Sequence, residues 1–151
     1  MSLNKNDRSQ KGRDDPKPSL NTTEISFRPK ANEKTINPEL FNGIAQRTAH
    51  ILAIGSNKEQ NKASQIRRFY DELMMWETKT SLNAEKFPEY LPFIRMLNAK
   101  AAYAEGRKHV DNNFTLFMHH CLQQVIDADT LRIFKLFFEA MLGFYKLEKK
   151  D

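Results

Sequence analysis

Apolar residues recur at helical spacing along most of the chain, beginning near residue 37. The pattern is clearest at 111–127, where they fall at positions i, i+3, i+4, i+7 and i+8, the spacing that places side chains on one helix face. Strand-like alternation and internal repeats are not found. The sequence therefore predicts an all-α fold, a single helical bundle of about five helices at 38–54, 62–78, 88–106, 111–127 and 129–148.

Capping residues mark two boundaries of these helices. Asn37, Pro38 and Glu39 read as an N-cap, a first-turn proline and a first-turn acid, so we expect the bundle to begin there. Gly106 is placed as the C-terminal glycine of the third helix. The predicted buried stripes are Tyr90, Phe93, Ile94, Leu97, Ala101 and Ala104 in the third helix, and Phe114, Phe117, Met118, Cys121, Leu122, Val125 and Ile126 in the fourth.

The fifth predicted helix is apolar around most of its circumference. Phe134 and Phe138 belong to one apolar face, whereas Phe137, Phe144 and Leu147 belong to another. A helix of this kind is buried on two sides. It is therefore either central in the bundle or shared with another subunit, and the pattern leaves both alternatives open.

Residues 1–36 differ from the rest of the chain in composition. They are rich in Asn, Lys, Ser, Asp and Pro and nearly lack large apolar side chains. Such a segment buries too little surface to offset its loss of conformational entropy. We therefore expect a flexible N-terminal tail at 1–36 and a helical bundle domain at 37–151. Deletion of residues 1–35 should then leave the melting temperature nearly unchanged.

The net charge of +5 is unevenly distributed. Residues 1–36 carry eight Lys and Arg against five Asp and Glu, whereas residues 37–151 carry sixteen against fourteen. Net charge alone is thus a weak argument for nucleic-acid binding, and the placement of individual cations decides. A single cysteine, a polar N-terminus and the lack of a long apolar run indicate a soluble, cytoplasmic protein.

Residues suited to catalysis are not arranged in any familiar motif. The sequence lacks a glycine-rich phosphate loop, a nucleophile elbow and a His-Glu-x-x-His motif. His119, His120 and Cys121 are consecutive, but consecutive helical residues diverge by about 100° and cannot converge on one ion. Cys121 also belongs to the apolar stripe, and both histidines face away from it. We therefore expect a binding protein that is not an enzyme and uses no cofactor and no metal.

The third predicted helix carries a basic stripe with an aromatic residue in it. Its central part contains no acid, and the members of the stripe follow one another at intervals of four, three and four positions. Lysine and arginine can neutralise phosphates, and a tyrosine can stack on a base, which suits single-stranded nucleic acid. An ordinary solvated helix face explains the pattern equally well. The stripe consists of Met96, Lys100, Tyr103 and Arg107, and Lys108 follows it.

The second predicted helix offers two further cations. Arg67 flanks the buried face, whereas Arg68 points outward. The neighbouring Asp71 and Glu72 favour ordinary surface ion pairs, which contribute little to stability. Arg67 is therefore the better candidate for a ligand contact.

Two strings of the sequence resemble a known family. They are Lys62-Ala63-Ser64-Gln65-Ile66-Arg67-Arg68-Phe69-Tyr70 and Phe93-Ile94-Arg95-Met96-Leu97-Asn98-Ala99-Lys100-Ala101-Ala102-Tyr103-Ala104-Glu105-Gly106-Arg107. Together with the paired phenylalanines of the last helix, they resemble the small helical subunit of the type III-A CRISPR effector, the Csm complex. The resemblance spans about residues 60–147 and rests on the order and spacing of these strings.

The resemblance implies a non-catalytic protein, present in several copies that stack as a filament along the guide RNA and target RNA beside other subunits of the complex. Nuclease and cyclase activities would belong to those neighbours. Two alternatives stay open: a helical protein-binding adaptor without RNA contact, and the equivalent small subunit of a type III-B complex. The residues that we expect to bind RNA are Arg67, Lys100, Tyr103, Arg107 and Lys108.

Overall fold

A computed structural model describes residues 17–30 and 32–149. Within these ranges the protein is all-α, as the sequence predicts, and has no strand. A π-helical turn at Leu40–Ile44 leads into the first helix, and 3-10 turns cover Thr22–Glu24 and Ala84–Lys86. The six α-helices are α1 (Ala45–Ile54), α2 (Ala63–Leu82), α3 (Phe87–Arg95), α4 (Leu97–Gly106), α5 (Asn112–Gln123) and α6 (Ala128–Glu148).

The third predicted helix is divided into α3 and α4 at Met96. Pro92 lies inside α3 and has no N–H to donate to the preceding turn, which weakens the helix just before the interruption. Gly106 ends α4 without a positive φ. The left-handed residue that a C-terminal glycine usually provides is instead Lys108, with a φ of 61°.

Helix α6 is the central element of the bundle and packs against both α1 and α2. Phe134, Phe137 and Phe138 are fully buried on it. The ring of Phe117 on α5 contacts all three, and its centroid lies 5.2 Å from that of Phe138 in an edge-to-face arrangement. Of the two roles that the sequence leaves open for this helix, the central one accounts for these rings.

Three residues assigned to buried faces are exposed instead. Ile126 is 64% exposed because α5 ends at Gln123, so the helical periodicity no longer applies to it. Leu147, in the last turn of α6, is 78% exposed, and Phe93 on α3 is 52% exposed. Phe93 lies beside the buried face that Ile94 occupies. Among the described helices, none has the length and hydropathy that a membrane crossing requires.

The segment before the bundle is packed onto it, which contradicts part of the expectation for residues 1–36. Leu20, Ile25 and Phe27 are buried with the core, and the ring of Phe27 lies 6.2 Å from that of Phe134. The expectation that this region lacks an apolar surface to dock is therefore wrong for these three residues. Residues 1–16 of the expected tail lie outside the described residues.

Polar side chains of α5 hold the backbone of this segment. Asn113 accepts a hydrogen bond from the N–H of Leu20 at 2.9 Å and donates to the carbonyl of Pro18 at 2.8 Å. Gln124, just after α5, accepts from the N–H of Phe27 and donates to the carbonyl of Ile25, both at 2.9 Å. These bonds satisfy four backbone groups of a segment whose regular structure is limited to the 3-10 turn at Thr22–Glu24.

Candidate nucleic-acid interface

A groove on the surface between α2 and α4 collects most of the basic stripe. We call it the α2–α4 groove, and its volume is about 360 Å³. Its lining has three cationic side chains and one carboxylate, which makes it electropositive. The residues that line it are Gln65, Arg68, Phe69, Glu72, Leu97, Lys100, Tyr103, Ala104, Arg107 and His109.

The floor of the groove is apolar and rigid. Phe69, Leu97 and Ala104 are buried there, and the ring of Phe69 packs edge-to-face on Phe114 at 5.0 Å between centroids. These residues follow the helical periodicity of α2 and α4, so their burial fixes which neighbouring positions face solvent. The charged side chains therefore project from a packed base.

Buried polar contacts join the two walls of the groove at one end. Asn61, just before α2, is fully buried with a φ of 53°, and its N–H donates to the carbonyl of His109, just after α4, at 2.9 Å. Its side-chain amide donates to Asp111 Oδ1 at 2.8 Å and accepts from the N–H of Asp111 at 3.0 Å. Tyr145 of α6 donates its hydroxyl hydrogen to the Asn61 carbonyl. The start of α2 is thereby fastened to the end of α4.

Tyr103 and Arg107 are neighbours in the lining of the groove. Tyr103 is 68% exposed, an unusually large fraction for an aromatic side chain in this protein. The guanidinium carbon of Arg107 lies 5.9 Å from the tyrosine ring centroid, and Arg107 donates to the tyrosine hydroxyl at 3.4 Å. Arg107 makes no ion pair within the described ranges. Its charge is therefore available to a ligand.

Lys100, one turn earlier on the stripe, is partly neutralised within the protein. Its ammonium group forms an ion pair with Glu72 Oε1, which reaches across the groove from α2. The second carboxylate oxygen of Glu72 is buried and has no hydrogen-bond partner among the described residues. An anionic ligand would therefore compete with Glu72 for Lys100.

The two arginines of α2 lie in different clefts, and it is Arg68, not the favoured Arg67, that joins the basic stripe. Arg68 lines the α2–α4 groove and makes no ion pair among the described residues. Arg67 lies instead in a second cleft, between α2 and α6, together with Tyr70 and Lys146. It is 3.7 Å from Asp71 and places its guanidinium carbon 5.9 Å from the Tyr70 ring centroid. Arg67 is therefore not brought together with the basic stripe, and Arg68 is.

Two other members of the predicted site lie at its margins. Lys108 is exposed in the turn after α4 and does not line the groove. Met96, at the junction of α3 and α4, is 50% exposed. The structure thus brings Lys100, Tyr103 and Arg107 together with Arg68, with Lys108 nearby in the chain.

The consecutive residues His119, His120 and Cys121 have different surroundings. Cys121 is fully buried, and burial raises the pKa of its thiol well above the ordinary value, which keeps the thiol neutral. His119 is exposed, whereas His120 Nε2 lies 2.7 Å from the carbonyl oxygen of Ile25. Neither histidine is buried with the apolar stripe, and His120 contacts the N-terminal segment instead. Among the described residues, no group of three or more His, Cys, Asp or Glu is arranged to hold a metal.

Fold and groove together define a small α-helical bundle that presents a basic surface with an exposed aromatic side chain. The family model described as Csm2 Type III-A matches residues 37–151, and the chain therefore belongs to this family, that of the small subunit of the type III-A CRISPR complex. This finding sets aside the type III-B alternative. No curated protein and no solved structure matches the chain.

Family membership carries two consequences for the chain. The family is one of structural small subunits, and its members assemble with the other subunits of the Csm complex. The match begins at residue 37, where the bundle begins, so the packed segment at 17–30 lies outside it. The contacts of Leu20, Ile25 and Phe27 are therefore features of this chain beyond the family match.

Proposed function

We propose that this chain is a non-catalytic RNA-binding subunit, several copies of which stack along the guide RNA and target RNA of the type III-A complex. The observation that carries the proposal is the α2–α4 groove, in which Arg68, Lys100 and Arg107 line the same surface as Tyr103. In this role the protein serves antiviral defence in the cytoplasm beside the other Csm subunits.

Charge in the groove suits a phosphate backbone. Arg68 projects from α2, and Lys100 and Arg107 project from α4, so cations lie on both walls. Each cation that neutralises a phosphate releases condensed counterions, which favours binding irrespective of base sequence. Lys100 and Arg107 are separated by about 10 Å of helical rise, roughly two phosphates of an extended strand.

Tyr103 suits a base of the same strand. Its ring is 68% exposed and is held from one side by Arg107. Base stacking on an exposed ring tolerates any sequence because every base has a π-face. The groove has a single amide, Gln65, and a single carboxylate, Glu72, which pairs with Lys100. Cations and an aromatic ring outnumber these groups, so we expect binding without sequence preference.

The test is the double charge reversal Lys100→Glu with Arg107→Glu. Affinity for single-stranded RNA is measured by anisotropy at several salt concentrations, and the slope of log affinity against log salt should fall by about 1.4, or about 0.7 for each phosphate that is no longer neutralised. Both side chains are exposed, and the variant loses only the surface ion pair of Lys100 with Glu72, so the circular-dichroism spectrum and the melting temperature should be nearly unchanged. The matched control, Lys34→Glu with Lys58→Glu, makes the same change in net charge at exposed positions outside the groove and should bind RNA nearly normally.

Reconstitution separates RNA contact from protein contact. With the double variant in the complex, normal assembly with impaired target binding supports the proposal. Failed assembly with unaffected RNA affinity would assign the basic stripe to a neighbouring protein, in line with the adaptor alternative. Of the four α6 phenylalanine rings that motivated that alternative, Phe134, Phe137 and Phe138 are buried within the chain and Phe144 is partly buried against the core, which leaves α6 less apolar surface for a partner.

A further inference from the structure

Only two aromatic rings of the described residues are exposed, and both belong to the α3–α4 region. The chain has eleven phenylalanines, four tyrosines and one tryptophan. All of them lie in the described ranges, and only Phe93 and Tyr103 belong to the exposed large hydrophobic residues, at 52% and 68%. Every other ring is buried or half-buried, so these two rings are the ones most accessible to a ligand.

Phe93 continues the basic stripe by one step. Phe93, Met96, Lys100, Tyr103 and Arg107 follow at intervals of three, four, three and four positions. The Met96 N–H donates to the Pro92 carbonyl and the Lys100 N–H to the Met96 carbonyl, both at 3.1 Å, so helical spacing continues across the junction of α3 and α4 and keeps these residues on one face. Ten residues separate the two exposed rings, or about 15 Å of helical rise. The stripe therefore has an aromatic ring near each end and a lysine between them.

The Phe93 ring is held in a fixed orientation. It stacks on Trp76 of α2 with 5.8 Å between centroids and 16° between ring planes. Tyr90 packs on the same indole at 5.5 Å, and the ammonium of Lys79 lies 5.2 Å from its centroid. Phe93 thus packs on Trp76 while about half of its surface stays exposed. A ring that is fixed by a neighbour and still exposed can stack on a ligand, which a core residue cannot do.

We propose that Phe93, supported by Trp76, is a second base-stacking platform for the single RNA strand whose phosphates contact Lys100 and Arg107. This inference rests on the proposed function and extends the binding surface beyond the groove. The strand would stack one base on Tyr103 and another on Phe93, about three nucleotides apart, since about 15 Å of rise separates the rings.

The charges around Phe93 favour a nucleic-acid strand over a protein partner and indicate where the strand leaves. Lys79, over the Trp76 ring, supplies a cation beside the platform, as Lys100 and Arg107 do in the groove. Glu89 lies one helical turn before Phe93 on the side away from the groove. Its carboxylate would repel a phosphate, so we expect the RNA-binding surface to end at Phe93.

The single tryptophan makes the platform directly measurable. Full-length protein is titrated with a single-stranded oligouridylate of about ten nucleotides, and with an oligomer of the same length whose sugar–phosphate backbone carries no bases. A terminal dye reports the affinity of both by anisotropy, and intrinsic fluorescence excited at a wavelength that the four tyrosines do not absorb reports on Trp76 alone. We expect both oligomers to bind and only the one with bases to quench Trp76.

The variant Phe93→Ala removes the platform and leaves the cations in place. Its affinity for oligouridylate should fall about tenfold, the effect of removing one stacked base, with its affinity for the baseless oligomer unchanged. Leu147→Ala, which removes another exposed apolar side chain, should change neither affinity. Circular dichroism checks that both variants stay folded.

The outcomes separate the two proposals. RNA binding that neither quenches Trp76 nor weakens in Phe93→Ala would overturn the platform and leave the groove intact. An absence of RNA binding by the unmodified protein would overturn both proposals. Normal RNA affinity of Phe93→Ala together with failed assembly of the complex would assign the platform to a neighbouring subunit.

Discussion

Two sets of aromatic rings in this protein have opposite surroundings. On α5 and α6, Phe117, Phe134 and Phe138 are fully buried and contact one another through their edges and faces. On α3 and α4, Phe93 and Tyr103 are more than half exposed and alternate with cationic residues. The first set removes apolar surface from water, whereas the second leaves it in water.

This difference shows that residue type alone does not assign a role to an aromatic side chain. A buried ring contributes to stability through its apolar area and its contacts. An exposed ring buries less apolar area, contributes less to stability and stays accessible to a ligand. Changes in the two sets should therefore separate stability from RNA affinity.

The largest effect is expected at the centre of the buried set. Phe138→Ala removes a ring that is fully buried and contacts Phe117, Phe134 and Tyr70. The free energy of unfolding should fall by about 3–5 kcal/mol, measured by urea denaturation. The fraction that stays folded should bind RNA normally. Weakened RNA binding by that folded fraction would mean that the two sets are coupled.

A smaller loss of stability is expected at the N-terminal segment. Phe27→Ala should lower the free energy of unfolding by about 2–3 kcal/mol, less than Phe138→Ala, because the segment can detach without opening the bundle. The control Lys30→Ala changes an exposed side chain of the same segment and should have little effect. Equal stability of Phe27→Ala and the unmodified protein would restore the expectation that this region is dispensable for folding.

The helices could be predicted because periodicity and burial coincide in them. The stripe from Phe114 to Val125 is buried as its spacing predicts, because a helix with one apolar face can bury that face only by turning it towards the core. Leu20, Ile25 and Phe27 could not be recognised, because they are scattered over a segment without a helical or strand period. Their burial depends on polar side chains of α5 that are distant in the sequence.

Only the part of the candidate site that comes from the third predicted helix could be predicted from the sequence. Lys100, Tyr103 and Arg107 lie on one face of α4, so spacing alone brings them together. Arg68 and Glu72 join them through the packing of α2 against the α4 region, which no spacing within either helix specifies. Their separation of four positions indicates only that they share a face of α2.

The N-terminal cap of α6 should make a pH-dependent contribution to the free energy of unfolding. Asp127 caps this helix by accepting from the N–H of Thr130 at 2.8 Å, and the two form a capping box. Burial alone would raise the pKa of Asp127, but the hydrogen bonds from Thr130 and the charge of Arg28 outweigh it and lower the pKa. Asp127→Ala should cost about 1 kcal/mol of unfolding free energy at neutral pH.

The sign of the pH dependence follows from that lowered pKa. The carboxylate is favoured in the folded state, so its contribution is present above the ordinary pKa of about 4 and is lost as the pH falls through the lower folded-state value. Asp127→Asn keeps the cap and removes the titration. Its stability relative to the unmodified protein should therefore improve on acidification below about pH 4. A constant difference down to about pH 2 would contradict the assignment, and RNA affinity at neutral pH should be the same in all three proteins.

The smallest effect is expected in the exposed set. The substitution tests whether the ion pair with Glu72 reduces the affinity of Lys100 for RNA phosphate. Glu72→Gln removes the carboxylate that pairs with Lys100 and nearly keeps its shape. An exposed ion pair contributes on the order of 1 kcal/mol at most, so the freed lysine should raise RNA affinity by about threefold with little change in melting temperature. Glu59→Gln is the matched control, since it removes the same charge from the Lys62 pair outside the groove and should change RNA affinity far less. If Glu72→Gln binds RNA no better than Glu59→Gln, or more weakly than the unmodified protein, then Lys100 does not contact phosphate, and Arg68 and Arg107 would have to account for the affinity.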